Sequence, residues 1–179
     1  MPTRTAWLLG ALGVLAVLAA LSRTNRGAVV VASVTDAIAS VARGLRNNNP
    51  GNVRLTSPAT AWVGWVGSDA QSDPDYVQMA TMADGVRMAA VVFRNYQSRY
   101  GLKSVRDLIS RWAPGVENDT QSYIDAVASR LSIEPGYPLD LRDRATAYDF
   151  LRAVFRHENG VAAELIPAAT MYEGIEAAA

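Results

Sequence analysis

The chain has 179 residues, 50% of them hydrophobic, with 17 Lys+Arg balanced by 17 Asp+Glu, so its formal net charge is zero. That length suits one domain with a real core plus an appendage, and the charge balance points away from nucleic acid and from acidic polymers. With no Cys and one His, His157, there is no disulfide frame, thiolate metal site, thiol nucleophile or multi-His zinc site; a Ser-His-Asp site would have to use His157, and no cofactor is expected.

The appendage comes first. Residues 6–21 (AWLLGALGVLAVLAAL) are uncharged and almost wholly apolar, with Arg4 before them and Arg23 and Arg26 after. Roughly 20 residues cross a bilayer core, so the expectation is a short single transmembrane helix retained as an anchor, the alternative being a cleaved signal peptide. Arg on both flanks leaves its orientation open. Residues 28–43 carry Val30, Val31, Val34, Ala37, Ile38 and Val41 at helical spacing, which predicts an amphipathic connecting helix stopped at Gly44.

Next comes Arg46-Asn47-Asn48-Asn49-Pro50-Gly51-Asn52-Val53-Arg54, too polar and too broken for helix or strand. Pro fixes one φ, Gly permits φ > 0, and Asn tolerates the left-handed region, so a shaped loop lined with amide and guanidinium donors is expected. Such a surface suits neutral, hydroxyl- and acetamido-rich ligands better than phosphates or metals; the competing reading is a polar connector. Residues 69–75 (DAQSDPD) have loop composition, with Asp69, Asp73 and Asp75 expected to be solvated, and Tyr76 to Ala80 could form a strand.

From Asp84 the pattern is helical. Asp84 is the expected cap of a helix burying Val86, Ala89, Ala90, Phe93, Tyr96 and Tyr100 and stopped by Gly101; Ser104 and Asp107 form a capping-box pattern before Leu108, Ile109 and Trp112. Thr120 is the expected cap of a helix with Tyr123, Ile124, Val127 and Leu131 inward, and after Asp143 a last strong helix carries Ala147, Phe150, Leu151, Val154, Phe155 and Glu158 to Gly160. The sequence therefore predicts a mainly α domain over 44–166 behind an anchor region (1–27) and a connecting helix (28–43), with an Ala-rich tail at 167–179.

Glu158 stands out because a carboxylate on an apolar helix face must be paired, protonated or functional. The structural reading pairs it with Arg46 or Arg111; the functional one makes it a general acid. Glu117, just before a helix, is the second-choice catalytic residue, with a cap or dipole role as its alternative. Trp62, Trp65, Trp112, Tyr96 and Tyr123 would ordinarily be core, though one or two could stack on sugar rings in a groove.

The blocks Arg46–Arg54, Trp62-Val63-Gly64, Asp84-Gly85-Val86-Arg87, Arg111-Trp112-Ala113-Pro114, Glu117-Asn118-Asp119-Thr120 with Tyr123, and His157-Glu158-Asn159-Gly160 together resemble a family of bacteriophage virion structural proteins with a lysozyme-like, lytic-transglycosylase-type domain. The resemblance covers about Gly44 to Gly160. It implies a lysozyme-like fold, in circularly permuted order because the Asn-rich loop precedes the Glu-Asn-Gly helix, with Glu158 beside that loop in space. It further implies a peptidoglycan-degrading enzyme in which Glu158 is the single acid/base for the MurNAc–GlcNAc bond. Asn47, Asn48 and Asn52 would bind substrate, and Tyr123 would orient the Glu or the sugar. Peptidoglycan, a lipid bilayer through residues 6–21 and other virion proteins are the implied partners. The location would be a virion membrane, or a host inner membrane with the domain facing the periplasm. Two alternatives are a non-catalytic virion membrane protein with a peptidoglycan-binding scaffold and a bacterial membrane-anchored wall-remodelling enzyme.

Overall fold

The computed structural model describes residues 42–57, 59–115 and 119–179. The apolar run at 6–21, the connecting helix up to residue 41, and Glu117 lie outside the described residues, among which no helix is long and apolar enough to cross a membrane. The elements are α1 (Arg43–Arg46), α2 (Met82–Tyr100), α3 (Val105–Trp112), α4 (Thr120–Leu131), α5 (Arg144–Asn159), a 3-10 segment (Gly160–Leu165) and α6 (Ala168–Ala177). Among the described residues β-pairing is confined to isolated antiparallel bridges, Arg54–Tyr76, Trp65–Met79 and Ser104–Pro138, so the expected strand at Tyr76–Ala80 is reduced to two bridge points.

The helix boundaries follow local chemistry. α2 is capped by Thr81, whose hydroxyl oxygen accepts from the Asp84 amide at 3.1 Å, so the cap lies three residues before the Asp expected to provide it. Gly101, at φ 67°, ends α2 in the left-handed conformation that a Cβ disfavours. Ser104 and Asp107 form the reciprocal capping box at α3, and the hydrogen bonds from Ser104 hold the Asp107 carboxyl below the usual range. Asp119, one residue before the expected Thr120, caps α4, and Asp143 caps α5.

One apolar core is built from α2, α3, α4, α5 and α6. Phe93 is its centre, stacked on Trp112 at a centroid distance of 4.4 Å and meeting Phe150 edge-on at 4.9 Å. Val86, Ala89 and Ala90 of α2, Leu108 and Ile109 of α3, and Phe150, Val154 and Phe155 of α5 are buried as their spacing predicts. Tyr100 is not: it is 54% exposed, with the Arg111 guanidinium 3.8 Å from its ring centroid. One turn at the end of an amphipathic helix can leave the core without loss when a cation covers the ring.

The segment expected as a tail is instead part of the core. Met171 and Ile175 of α6 are 2% and 1% exposed, and α6 lies along α2, where Arg94 donates from Nε to the Leu141 carbonyl and from Nη1 to the Ile175 carbonyl, at 2.9 and 3.0 Å. Gly44, expected as a helix stop, lies inside α1 and is buried.

A second, smaller apolar cluster (Val77, Met79, Met88, flanked by Val53, Trp62 and Trp65) sits under the Asn-rich loop. Asn49, fully buried, organises it. Its amide donates to the Val53 and Val77 carbonyls and accepts from the Val53 N–H, each at 2.9 Å, replacing the missing strand ladder. Asn48 and Asn52 occupy the left-handed region (φ 50° and 49°), which Asn tolerates better than other side chains.

Candidate functional site

Glu158 extends the apolar face of α5 beyond its last core residues, Val154 and Phe155, and emerges in a cleft of about 480 Å³. Its carboxylate accepts three hydrogen bonds. Oε1 takes the Tyr123 hydroxyl at 2.7 Å and the Trp112 indole N–H at 3.2 Å, and Oε2 takes the Asn52 amide N–H at 3.0 Å. Neutral donors from α4, α3 and the Asn-rich loop therefore fix the carboxylate, in place of the Arg46 or Arg111 partnership weighed above; Arg111 lies over Tyr96 and Tyr100. The carboxylate meets the requirement for any charge at the edge of a core, hydrogen-bond donors on both of its oxygens.

The loop and the helix end meet twice. Besides the Asn52–Glu158 bond, Asn159 donates to the Pro50 carbonyl at 2.7 Å and to the Phe155 carbonyl at 3.0 Å. These bonds join residues 106 and 109 positions apart. The cleft between them is lined by Gly51, Asn52, Arg54, Tyr76, Tyr96 and Trp112, with Ala113 and Pro114 at one edge. Tyr76 is flanked by the guanidinium groups of Arg43 and Arg54, 4.9 and 5.4 Å from its ring centroid. Glu158 is the one carboxylate lining the cleft among the described residues.

Of the candidate residues, Glu158, Asn52 and Tyr123 are brought together. Asn47 and Asn48 turn the other way: Asn47 donates to Asp73 Oδ2 at 2.8 Å and accepts from Gln78, while Asn48 donates to the Met79 and Ala80 carbonyls at 3.0 and 3.2 Å. Both hold the loop onto residues 73–80. Asp73 is correspondingly not a solvated loop residue. Burial alone would raise its carboxyl, but hydrogen bonds from Asn47 and from the Asp75 and Tyr76 amides, with Arg43 nearby, outweigh that and hold it below the usual range.

Tyr123 is 3% exposed. Burial first, and then the Glu158 charge, push its hydroxyl far above the ordinary tyrosine value, so it stays a donor at all working pH values. Its other face stacks on His157, with ring centroids 3.6 Å apart and planes 15° from parallel. His157 thus buttresses Tyr123. Burial lowers its pKa below the ordinary 6.5, an effect partly offset by Glu158. Trp112 and Asn159 were not singled out in the sequence for contact with the carboxylate. The signal for Asn159 was its place in Glu-Asn-Gly; Trp112 was marked by its Arg-Trp-Ala-Pro block and as one of the aromatics that could line a groove, where it does lie.

Two expected outcomes follow from this geometry. Tyr123→Phe keeps the stack on His157 and removes one charge-assisted hydrogen bond, worth about 1.5–3 kcal/mol. Any turnover that depends on Glu158 is expected to fall about tenfold to a hundredfold, with the fold intact by circular dichroism; an unchanged rate would show that the phenol plays no part. The second concerns pH. His157 has a folded pKa below its unfolded one, so its contribution is complete above 6.5 and is lost as pH falls through the lower folded value; Asp73 behaves in the same sense below 3.8. Acid should lower Tm in two stages, and His157→Phe, which retains a flat ring, should remove the upper one; a Tm–pH curve unchanged by that substitution would count against it.

No protein-family model matches the chain. It is 41% identical over 107 residues to Protein P5 of Pseudoalteromonas phage PM2, a match covering 59% of this chain and 66% of that protein. The chain is similar to a phage protein. It spans a little under two thirds of that relative's length. The phage origin of the relative agrees with the phage part of the resemblance drawn from the motifs, and the relative's name carries no activity to transfer.

Proposed function

We propose that this is a phage virion protein whose domain cuts the glycan strands of peptidoglycan, with Glu158 as the single acid/base. The observation that carries this reading is the shared cleft: Glu158 and Asn52, from opposite ends of the domain sequence, face the same cavity with Oε2 and Nδ2 3.0 Å apart. Glu158 in its acid form gives its proton to the oxygen between MurNAc and GlcNAc as the glycosidic C–O bond breaks. The resulting carboxylate takes the proton of the muramic 6-hydroxyl, whose oxygen bonds to C1 to close a 1,6-anhydro ring. Atoms and charge balance with one carboxylate. Most hydrolytic glycosidases use a second carboxylate at a defined separation, whereas Glu158 is the one carboxylate lining the cleft among the described residues. Tyr123 and Trp112 hold Oε1, leaving Oε2 as the edge that exchanges the proton. Anchorage through residues 6–21 would keep the domain near a large polymeric substrate.

The direct test is digestion of purified murein followed by mass spectrometry of the fragments. Anhydro-muropeptides are the expected product; reducing-end muropeptides would instead mean attack by water.

A second reading is favoured by the donors that hold both oxygens of the carboxylate. Three donors also suit a purely structural clamp, in a virion protein that binds peptidoglycan without cutting it. That reading predicts co-sedimentation with murein and no released fragments.

A further inference from the structure

Behind Glu158 lie two buried oxygens without donors. Asn52 uses its Nδ2 on Glu158, leaving Asn52 Oδ1 buried and unpaired, and Asn159 Oδ1 is in the same condition. Asn159 is held in place, because its Nδ2 serves both the Pro50 and the Phe155 carbonyls, and turning it would press an oxygen against two others. The two unpaired oxygens are neighbours. Each would lie under 3.0 Å from a Cβ built on Gly44, so it is the absence of a side chain there that lets both approach. Two buried acceptors without donors in one place are an unfavourable arrangement.

A half-turn of the Asn52 amide exchanges its oxygen and nitrogen with almost no movement of heavy atoms. It brings Nδ2 to the side of Asn159 Oδ1 and sets Asn52 Oδ1 against Glu158 Oε2 at the same separation, 3.0 Å. Two oxygens so close attract only with a proton between them, so the turned amide matches Glu158 in its acid form. At Oε2 no other partner among the described residues provides this. Trp112 N–H cannot accept, and the Tyr123 hydroxyl bonds Oε1.

We propose that Asn52 is a positioning residue that serves both proton states of Glu158, its amide donating to the carboxylate and, after a half-turn, accepting from the acid while donating to Asn159. Its importance for catalysis rests on the acid/base reading above; the amide exchange itself does not. Among the described residues, the other titratable groups around the carboxylate are Tyr123 of α4, Tyr96 of α2, Tyr76 and Arg54 across the cleft, and His157 on α5 itself. Burial raises Tyr123 and Tyr96, so both stay protonated, and His157, whose own charge changes on acidification, is the neighbour to control for.

The test is NMR on the full chain labelled with ¹³C and ¹⁵N, following the Glu158 carboxyl carbon and the Asn52 side-chain NH₂ through an acid titration, in wild type and in His157→Phe. The Asn52 signals are expected to move in step with the Glu158 carboxyl in both proteins. A nuclear Overhauser contact between the Asn52 NH₂ and the Gly44 Hα should appear on the acid limb alone. In Glu158→Gln, whose amide nitrogen needs an acceptor, that contact should persist at every pH. An Asn52 NH₂ that ignores the Glu158 titration, or contacts to Gly44 that do not differ between the two ends, would overturn the proposal. Clearing of murein by Glu158→Gln would sink the catalytic reading and leave the amide exchange standing, so the two failures are distinguishable.

Discussion

Glu158→Gln is expected to abolish clearing of purified murein, with a rate about a thousandfold below wild type, while leaving the domain folded. The size follows from the role: a positioned acid/base contributes about 10²–10⁴ in rate, and an amide can neither give nor take the proton. Retention of the fold follows from the surroundings. A Gln oxygen can still accept from Tyr123 and Trp112, and its NH₂ can meet the turned amide of Asn52, so no buried group loses its partner. A Tm within a few degrees of wild type is therefore part of the expectation. Turbidity and thermal melting on the same preparation check both halves. Clearing at the wild-type rate would return Glu158 to a structural role and move attention to Glu117. Loss of clearing together with loss of fold would show instead that the carboxylate is first a clamp.

The largest effect on stability is expected at Gly85. In the middle of an exposed helix Gly→Ala is favourable by about 1 kcal/mol. Here a Cβ would overlap the Asn48 carbonyl oxygen and crowd Pro50, because the first turn of α2 lies directly on the backbone of the Asn-rich loop. Backbone on both sides cannot give way as a flexible side chain could. The loop must lift, carrying with it Asn49, on which the small cluster depends, and Asn52, which bonds Glu158. Overpacking costs about 1–3 kcal/mol where side chains can adjust, and the cost here should exceed that range, a large part of the roughly 5–15 kcal/mol that holds a domain folded. Gly85→Ala should lower Tm by about 10 °C or prevent folding. Gly136→Ala, at a position with nothing within 4 Å, should leave Tm nearly unchanged. Equal melting of the two variants would show that α2 does not rest on the loop in this way.

The split between what was legible and what was not follows the range of the interactions. Helices α2 to α5 were readable because each is specified within about twenty residues, by a repeat of apolar side chains and by caps such as Ser104–Asp107, Asp143 and Gly101. α6 was not, since a short Ala-rich stretch has no strong stripe and becomes a helix of the core only when Met171 and Ile175 find α2. The Asn-rich loop was visible as a loop, but its four amides look alike in sequence and differ in use. Asn47 and Asn48 bind residues 73–80, Asn49 replaces a strand ladder, and Asn52 alone reaches Glu158.

By itself, then, the sequence determined the helical class and marked Glu158 as a carboxylate out of place on an apolar face. The tertiary structure decided what surrounds it. Its partners Tyr123, Trp112 and Asn52 lie 35, 46 and 106 residues away, and no local pattern encodes contacts that form only when α3, α4, α5 and the loop are packed together.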